Sequence, residues 1–349
     1  MKDVIIVGSG IAACSLAWQL HQQGKSLTLI SDRKKGSSSV AAGVYNPMVL
    51  KRFTAVWNAG VQLEFLNNMF DYVLENTDID VRTPITVARR FHDEKESLTW
   101  IKKSVREDLK TFMNSTVQKI DINGIEASSG YGLVNGTGWV DTIKFMSLTL
   151  SFFESLDSVY LEEFDYRRLK TSHNSVTYKT FSAAHIIFAD GYRMLDNPYF
   201  DNLPIQGNKG EVLLIKVPGL ELDYILKSSV FLMPYKDDLF WVGATYDREN
   251  LVDEATAAGQ DFLTSRLERF MKLPYEIVEH KHGIRPTTID RRPFVGHHSI
   301  HENIWVFNGM GSRAVLIAPW ASLQLINCIY NNQPINAEID IKRFEKVNP

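Results

Sequence analysis

Residues 3–21 read DVIIVGSGIAACSLAWQLH, and their reading decides the fold. Val4 to Val7 is a short branched run, Gly8-Ser9-Gly10 breaks it, and the residues from Ile11 to about His21 read as a helix. After Gly24, Leu27 to Ile30 reads as a second strand. Strand, glycine turn, helix, strand is a βαβ unit, and its parallel strands need a right-handed crossover. Gly8-Ser9-Gly10-Ile11-Ala12-Ala13 fits the Gly-x-Gly-x-x-Gly/Ala dinucleotide fingerprint in the context that fingerprint requires. Gly8 allows the tight turn, Gly10 lets backbone approach a pyrophosphate, and Ala13 keeps helix close to strand. The helix N-terminus adds unpaired N–H groups and partial positive charge. Asp32 lies 24 positions after Gly8, near the ~20 at which an acid holds a ribose diol. Ser31 is the residue an ungapped comparison puts there, so Asp32 either reaches the ribose from a shifted position or caps the loop. Arg33 beside it has the charge for a 2′-phosphate, as does any surface arginine.

The chain around this unit is 349 residues long, enough for one large or two interleaved domains. Hydrophobic residues at 44% and charged residues at 23% are ordinary for a globular protein and argue against long disordered segments. Lys+Arg 38 against Asp+Glu 41 leaves a net charge of −3, so no overall basic field draws the chain to nucleic acid, although a local basic face stays open. Two cysteines, Cys14 and Cys328, make no disulfide framework and no metal cluster, which favours a reducing, cytoplasmic setting. The apolar start has only a weak basic region, since Lys2 is offset by Asp3, and no stretch approaches ~20 uninterrupted apolar residues. A soluble protein with an intact N-terminus is expected.

Further along, residues 62–76 and 142–156 show helical spacing, whereas 83–91, 210–217, 229–234 and 239–246 read as strands. The expected fold is α/β: a Rossmann-like domain with a parallel sheet, interrupted by a mostly antiparallel substrate domain. The first is assigned 1–80, 137–203 and 283–349, the second 81–136 and 204–282.

GSSSVAAGVYNPM (36–48) is where the reading becomes specific. It resembles the second motif of the FAD-dependent D-amino-acid-oxidase-like family, which includes glycine and sarcosine oxidases. GWVDT (138–142), IIFADG (186–191), PIQGNKGE (204–211), FWVGAT (240–245), GIRPTTIDRRPFVG (283–296) and NGMGSRAVLIAP (308–319) resemble further family motifs in the family's order, with Thr142 in place of a usual proline. The resemblance implies non-covalent FAD, with hydroxyls near Ser37 and Ser38 at the pyrophosphate and Ala41, Ala42 and Gly43 beside the isoalloxazine ring. Only small residues let backbone meet a flat ring closely. It implies cofactor contacts also at Gly191 and at Gly309, Gly311, Ser312, Arg313 and Ala314, where the following helix (about 315–330) would aim its N-terminus at the charge of reduced flavin. Within the family, Gly309–Arg313 is similar to the loop of the FAD domains that trim a carboxymethyl group from a modified tRNA wobble uridine.

Arg285, in Gly283-Ile284-Arg285-Pro286, matches the family's arginine that grips the substrate carboxylate; a guanidinium fork fixes both oxygens in one plane. Arg313 is a second anion contact or a flavin-edge residue, and Tyr246 offers a hydroxyl or belongs to the rim. Asp141 reads as a helix N-cap. His297, His298 and His301 have no acid or thiol at ligand spacing and read as a solvated loop, so no metal is expected. The activity implied is oxidation of a C–N bond in an amine with a nearby carboxylate, by hydride transfer to flavin N5. Oxidative trimming of tRNA is the alternative, for which Lys51, Arg52, Arg89, Arg90, Arg291 and Arg292 would supply a basic rim. A dehydrogenase with a non-oxygen acceptor and a flavin protein without turnover complete the set.

Overall fold

The computed structural model describes residues 1–344, so the last five residues of the expected 283–349 segment lie outside the description. The opening strand, Lys2–Val7, is central in an eight-stranded sheet. Val159–Leu161, Leu27–Ser31, Lys2–Val7, Phe181–Phe188 and Ile304–Asn308 run parallel in that spatial order. The hairpin Leu169–Thr171/Val176–Tyr178 and the strand Phe294–His297 are added antiparallel. Val4 and Ile6 pack into the helical layer, while Ile5 and Val7 pack under the hairpin. Both faces are covered, which is why VIIV is a continuous apolar run and not an alternating one. The helical layer holds Ile11–Gln22, Ala59–Thr77, Thr142–Ser155 and Ala314–Asn331.

A second, seven-stranded sheet is antiparallel except at one junction. Its order is Glu276–Thr288, Ile205–Lys216, Leu239–Gly243, Phe231–Lys236, Ile225–Lys227, Val87–Arg90 and Tyr131–Val134, with Ile225–Lys227 parallel to Val87–Arg90. One face, carrying Leu213, Ile215, Phe240 and Val242, packs on Leu263 and Leu267 of the helix Ala257–Leu267. The other, carrying Val87, Ile225 and Met233, packs on Met48, Phe53 and Trp100. Small strands at Val44–Tyr45, Gly138–Val140 and Arg82–Pro84 join the two regions.

Three local differences from the sequence reading have physical causes. The strand Glu276–Thr288 continues through residue 283, because every position from Lys281 to Thr288 has a partner on Ile205–Lys216. Residues 283–288, with Arg285, therefore pair in the antiparallel sheet, although the first domain was assigned from 283 onward. The stretch 83–91 divides into Arg82–Pro84 and Val87–Arg90, each in a different sheet. The helices Glu94–Ser104 and Ala257–Leu267 were not expected: the first buries one narrow face, Ser97, Trp100 and Ser104, in an otherwise polar stretch, and the second carries no clear apolar periodicity; caps start both, Asp93 accepting the Glu96 N–H at 2.7 Å and Thr256 the Gly259 N–H at 3.0 Å.

Candidate active site

The parallel strands end where two helices begin, and the helix N-termini form two positive ends without side-chain caps on their own N-cap residues, Gly10 and Arg313. At the first, the turn Ser37–Ser39 folds over the glycine loop and Ser38 Oγ accepts the Ile11 N–H at 3.2 Å. Ser9 and Ser31 hydroxyls, 2.6 Å apart, tie the ends of the first two strands together. Gly8 lies against the Ala189 carbonyl and Ala13 is fully buried against the strand layer. Ser37 lies against Gly283, so this turn also touches the substrate sheet.

Asp32 sits at the end of the second strand, but Arg193 donates to both its oxygens, at 2.5 and 3.0 Å, and the Lys34 N–H adds a bond at 3.0 Å. Burial works to raise its pKa, yet these bonds hold the carboxyl below its usual value. Arg33 pairs with Glu154 on the helix Thr142–Ser155.

Gly43 has φ +70°, and a Cβ there would run into the Val140 carbonyl, so the Ala41-Ala42-Gly43 loop lies directly on the Gly138–Val140 strand. The Val140 N–H donates to the Gly43 carbonyl at 3.0 Å. Thr142, which departs from the family's proline, donates its hydroxyl to the Ala41 carbonyl at 3.3 Å, a bond proline cannot make. Asp141 caps the helix as read, accepting the Lys144 N–H at 3.0 Å.

At the second positive end, Asn308 closes the strand Ile304–Asn308. Its Nδ2 donates to Asp190 Oδ1 and to the Gly191 carbonyl, both at 2.9 Å, while its Oδ1 accepts the Gly309 N–H at 2.8 Å. Asp190 also accepts from Tyr166 and Asn197 at 3.2 Å; burial nonetheless pushes its pKa up to about 6. This network fixes where Gly309 and Gly311 turn into the helix Ala314–Asn331, with Ser312 exposed on the turn. The Gly311 N–H donates to the Pro286 carbonyl at 2.9 Å, joining the loop to the residue after Arg285.

Arg285 stands opposite Asn208 in the sheet register. Its Nη1 donates to Asn208 Oδ1 at 3.2 Å and to the Thr245 carbonyl at 3.3 Å, and its guanidinium lies 4.7 Å from the Tyr246 ring centroid. A Cβ at position 210 would coincide with the guanidinium, so Gly210 is what makes room for it. Arg313 Nη1 donates to the Asn46 carbonyl at 3.1 Å. Burial pushes both guanidiniums below their usual pKa. Tyr246, past the end of its strand at Gly243, is 67% exposed, and with Asn208, Asp247, Arg248, Glu249 and Arg291 it lines an open cleft of about 510 Å³. Lys209, fully buried next to Asn208, points to the opposite face by strand alternation and pairs with Glu211 at 3.1 Å. Glu211 in turn accepts the N–H and hydroxyl of Thr256, so this pair anchors a helix rather than the cleft.

The six basic residues read as a rim are not brought together. Arg89 is buried and paired with Glu96, Arg90 donates to the Glu126 carbonyl, and Arg292 pairs with Glu338 at 3.2 Å and stacks on Trp57. Lys51 and Arg52 lie exposed on a turn, and Arg291 alone lines the cleft. His298 Nδ1 accepts the N–H groups of Ile300 and His301, a loop-closing role. Cys14 is buried, its thiol pushed up to about 12, and Cys328 lies in the last helix. Asn208, Arg248, Asp190 and Asn308 were missed in the sequence. Gly210 inside a strand pattern was the one signal, since such a glycine marks a close approach.

The chain is similar to the tRNA 5-methylaminomethyl-2-thiouridine biosynthesis bifunctional protein MnmC of Campylobacter jejuni (24% identity over 300 residues, 84% of this chain and 46% of the relative). Its likeness to the protein of that name from Idiomarina loihiensis is 24% over 344 residues, 91% and 54% respectively. The chain thus spans about half the length of the curated relatives it matches. Among solved structures, glycine oxidase from Geobacillus kaustophilus superposes with a TM-score of 0.78 at 18% identity, covering 98% of this chain and 97% of that one. Iminodiacetate oxidase from Chelativorans sp. BNC1 gives 0.77 at 18%, with 98% of each chain covered. The model of the FAD dependent oxidoreductase family matches residues 3–326. With the central parallel strands, the two positive helix ends and this match over most of its length, the chain belongs to the FAD dependent oxidoreductase family.

Proposed function

We propose that the chain oxidises the C–N bond of an amine that carries a carboxylate close to the nitrogen, an amino acid or an N-substituted glycine. The observation that carries this reading is Arg285, a largely buried guanidinium that forms no ion pair among the described residues and lies at the Tyr246 cleft. Burying a cation without a counter-charge is costly, and a substrate carboxylate supplies that charge.

The residues fit FAD. The N-terminus of the helix Ile11–Gln22, with Ser37 and Ser38, has the donors for a diphosphate, and Asp32 keeps lone pairs for a ribose beside its bonds to Arg193. Ala42 and Gly43 offer a surface free of large side chains, and the N-terminus of Ala314–Asn331 offers positive charge for reduced flavin. FAD, when bound, supplies the two-electron acceptor that takes the hydride from the carbon next to nitrogen. Arg285 orients the carboxylate and so fixes which C–H faces the acceptor, and the open cleft admits the water that hydrolyses the imine to a carbonyl compound and an amine.

Two finer points belong to the same reading. Trimming of a modified tRNA is the second substrate reading, favoured by the MnmC relatives, with Arg248 and Arg291 at the cleft mouth available to phosphates. The electron acceptor is oxygen or a carrier; one structural relative is named L-proline dehydrogenase, from P. horikoshii. Anaerobic titration of the yellow protein with glycine, sarcosine, proline, D-amino acids and carboxymethylaminomethyl-uridine-bearing tRNA tests all of this. Bleaching by one of them names the substrate class, and admitting air separates oxidase from dehydrogenase. Absence of bleaching by any of them counts against amine oxidation.

A further inference from the structure

Two guanidiniums, not one, neighbour Tyr246 without an ion-pair partner among the described residues. Arg285 spends one nitrogen on two neutral oxygens and Arg313 spends one nitrogen on a single carbonyl. A guanidinium has five N–H donors, so most of each fork is unspent. Among the described residues neither forms an ion pair. The two arms are mechanically joined, because the Gly311 N–H bonds the Pro286 carbonyl next to Arg285, and Tyr246 is the titratable neighbour they share. Arg291, also on the cleft, acts on Arg313 with the same sign and deepens the positive surplus. The acids lining the cleft are Asp247, one oxygen of which accepts the N–H groups of Glu249 and Asn250, and Glu249 itself; among the described residues neither forms an ion pair with Arg285 or Arg313. One substrate carboxylate leaves this surplus half met.

Resting on the amine-oxidation reading, we propose that the substrate carries two acidic groups: Arg285 holds the carboxylate beside the C–N bond and Arg313 holds the second acid. A bidentate fork at each end selects for the diacid, since a monoacid leaves one buried guanidinium unpaired. The competing use of Arg313, as the cation for reduced flavin alone, gives no such selection.

The test uses the FAD-loaded chain and pairs of N-substituted glycines differing by one carboxylate: sarcosine against iminodiacetate, and N-ethylglycine against N-(2-carboxyethyl)glycine. Anaerobic flavin reduction is expected to be at least tenfold more efficient for one diacid than for its monoacid partner. In Arg313→Met that ratio is expected to fall to near one, with Arg313→Lys keeping part of it. As a reading independent of turnover, the thermal midpoint of the flavin-free protein should rise more with the preferred diacid than with its partner. Monoacids reduced as efficiently as diacids overturn the proposal and leave amine oxidation standing. A ratio that survives Arg313→Met removes Arg313 from the role. Reduction by none of the four overturns the proposal, and the titration with glycine, proline, D-amino acids and tRNA then decides the reading beneath it.

Discussion

Replacing Arg285 by alanine separates a substrate-binding arginine from a structural one, because the two roles predict opposite effects on stability. A carboxylate gripped by a planar fork gains two charge-assisted hydrogen bonds, each worth about 1.5–3 kcal/mol. Truncating one side of such a buried pair costs about 3–5 kcal/mol, which lowers kcat/KM by roughly two to three and a half orders of magnitude. The free protein loses only two bonds to neutral oxygens, at 3.2 and 3.3 Å, and sheds the cost of a buried cation without a counter-ion. Its thermal midpoint should therefore stay level or rise, and its FAD affinity should be unchanged. Gly210→Ala is the complementary variant: the new Cβ occupies the guanidinium's place, so the charge remains but is displaced, and activity should fall similarly. The assays are anaerobic flavin reduction by whichever amine bleaches the protein, flavin fluorescence for FAD affinity, and thermal melting. Unchanged kcat/KM in Arg285→Ala, or a marked drop in its melting temperature, would refute the assignment and return Arg285 to a sheet-stapling role.

Gly43→Ala should abolish FAD retention and lower stability by about 1–3 kcal/mol, since it combines a positive φ with a collision on the Val140 carbonyl; flavin content after desalting and a urea midpoint report it. Asp190, raised from 3.8 to about 6, binds its proton more tightly folded than unfolded. Its contribution is full below the unfolded value and is lost as pH rises through about 6, by at most about 3 kcal/mol. Urea midpoints across pH 4–7 should show this slope in the wild type and not in Asp190→Asn. Asp32, held below its usual value by Arg193 and Lys34, acts with the opposite sign: it stabilises above the unfolded pKa and the gain fades as pH falls. Arg193 is exposed enough that the gain is about 1 kcal/mol, so Asp32→Asn should flatten the acid limb of the stability curve slightly while weakening FAD binding.

The βαβ opening was legible because its signals are local. VIIV, the glycine turn and the helix that follows are neighbours in sequence, and sterics and helix-end electrostatics act over a few residues. The helix Ala59–Thr77 and the cap at Asp141 were legible for the same reason. Three things needed the tertiary structure. That residues 283–288 belong to the antiparallel sheet depends on pairing with residues 205–210, over 70 positions away. That Asp32 meets Arg193 depends on two crossover ends converging across 161 positions. That Arg285 and Arg313 form no ion pair among the described residues is a property of everything around them, which only packing decides. Local patterning chose the elements and the cofactor turn; the balance of charge around the cleft, which decides what the site can hold, arises only when distant strands bring their side chains together.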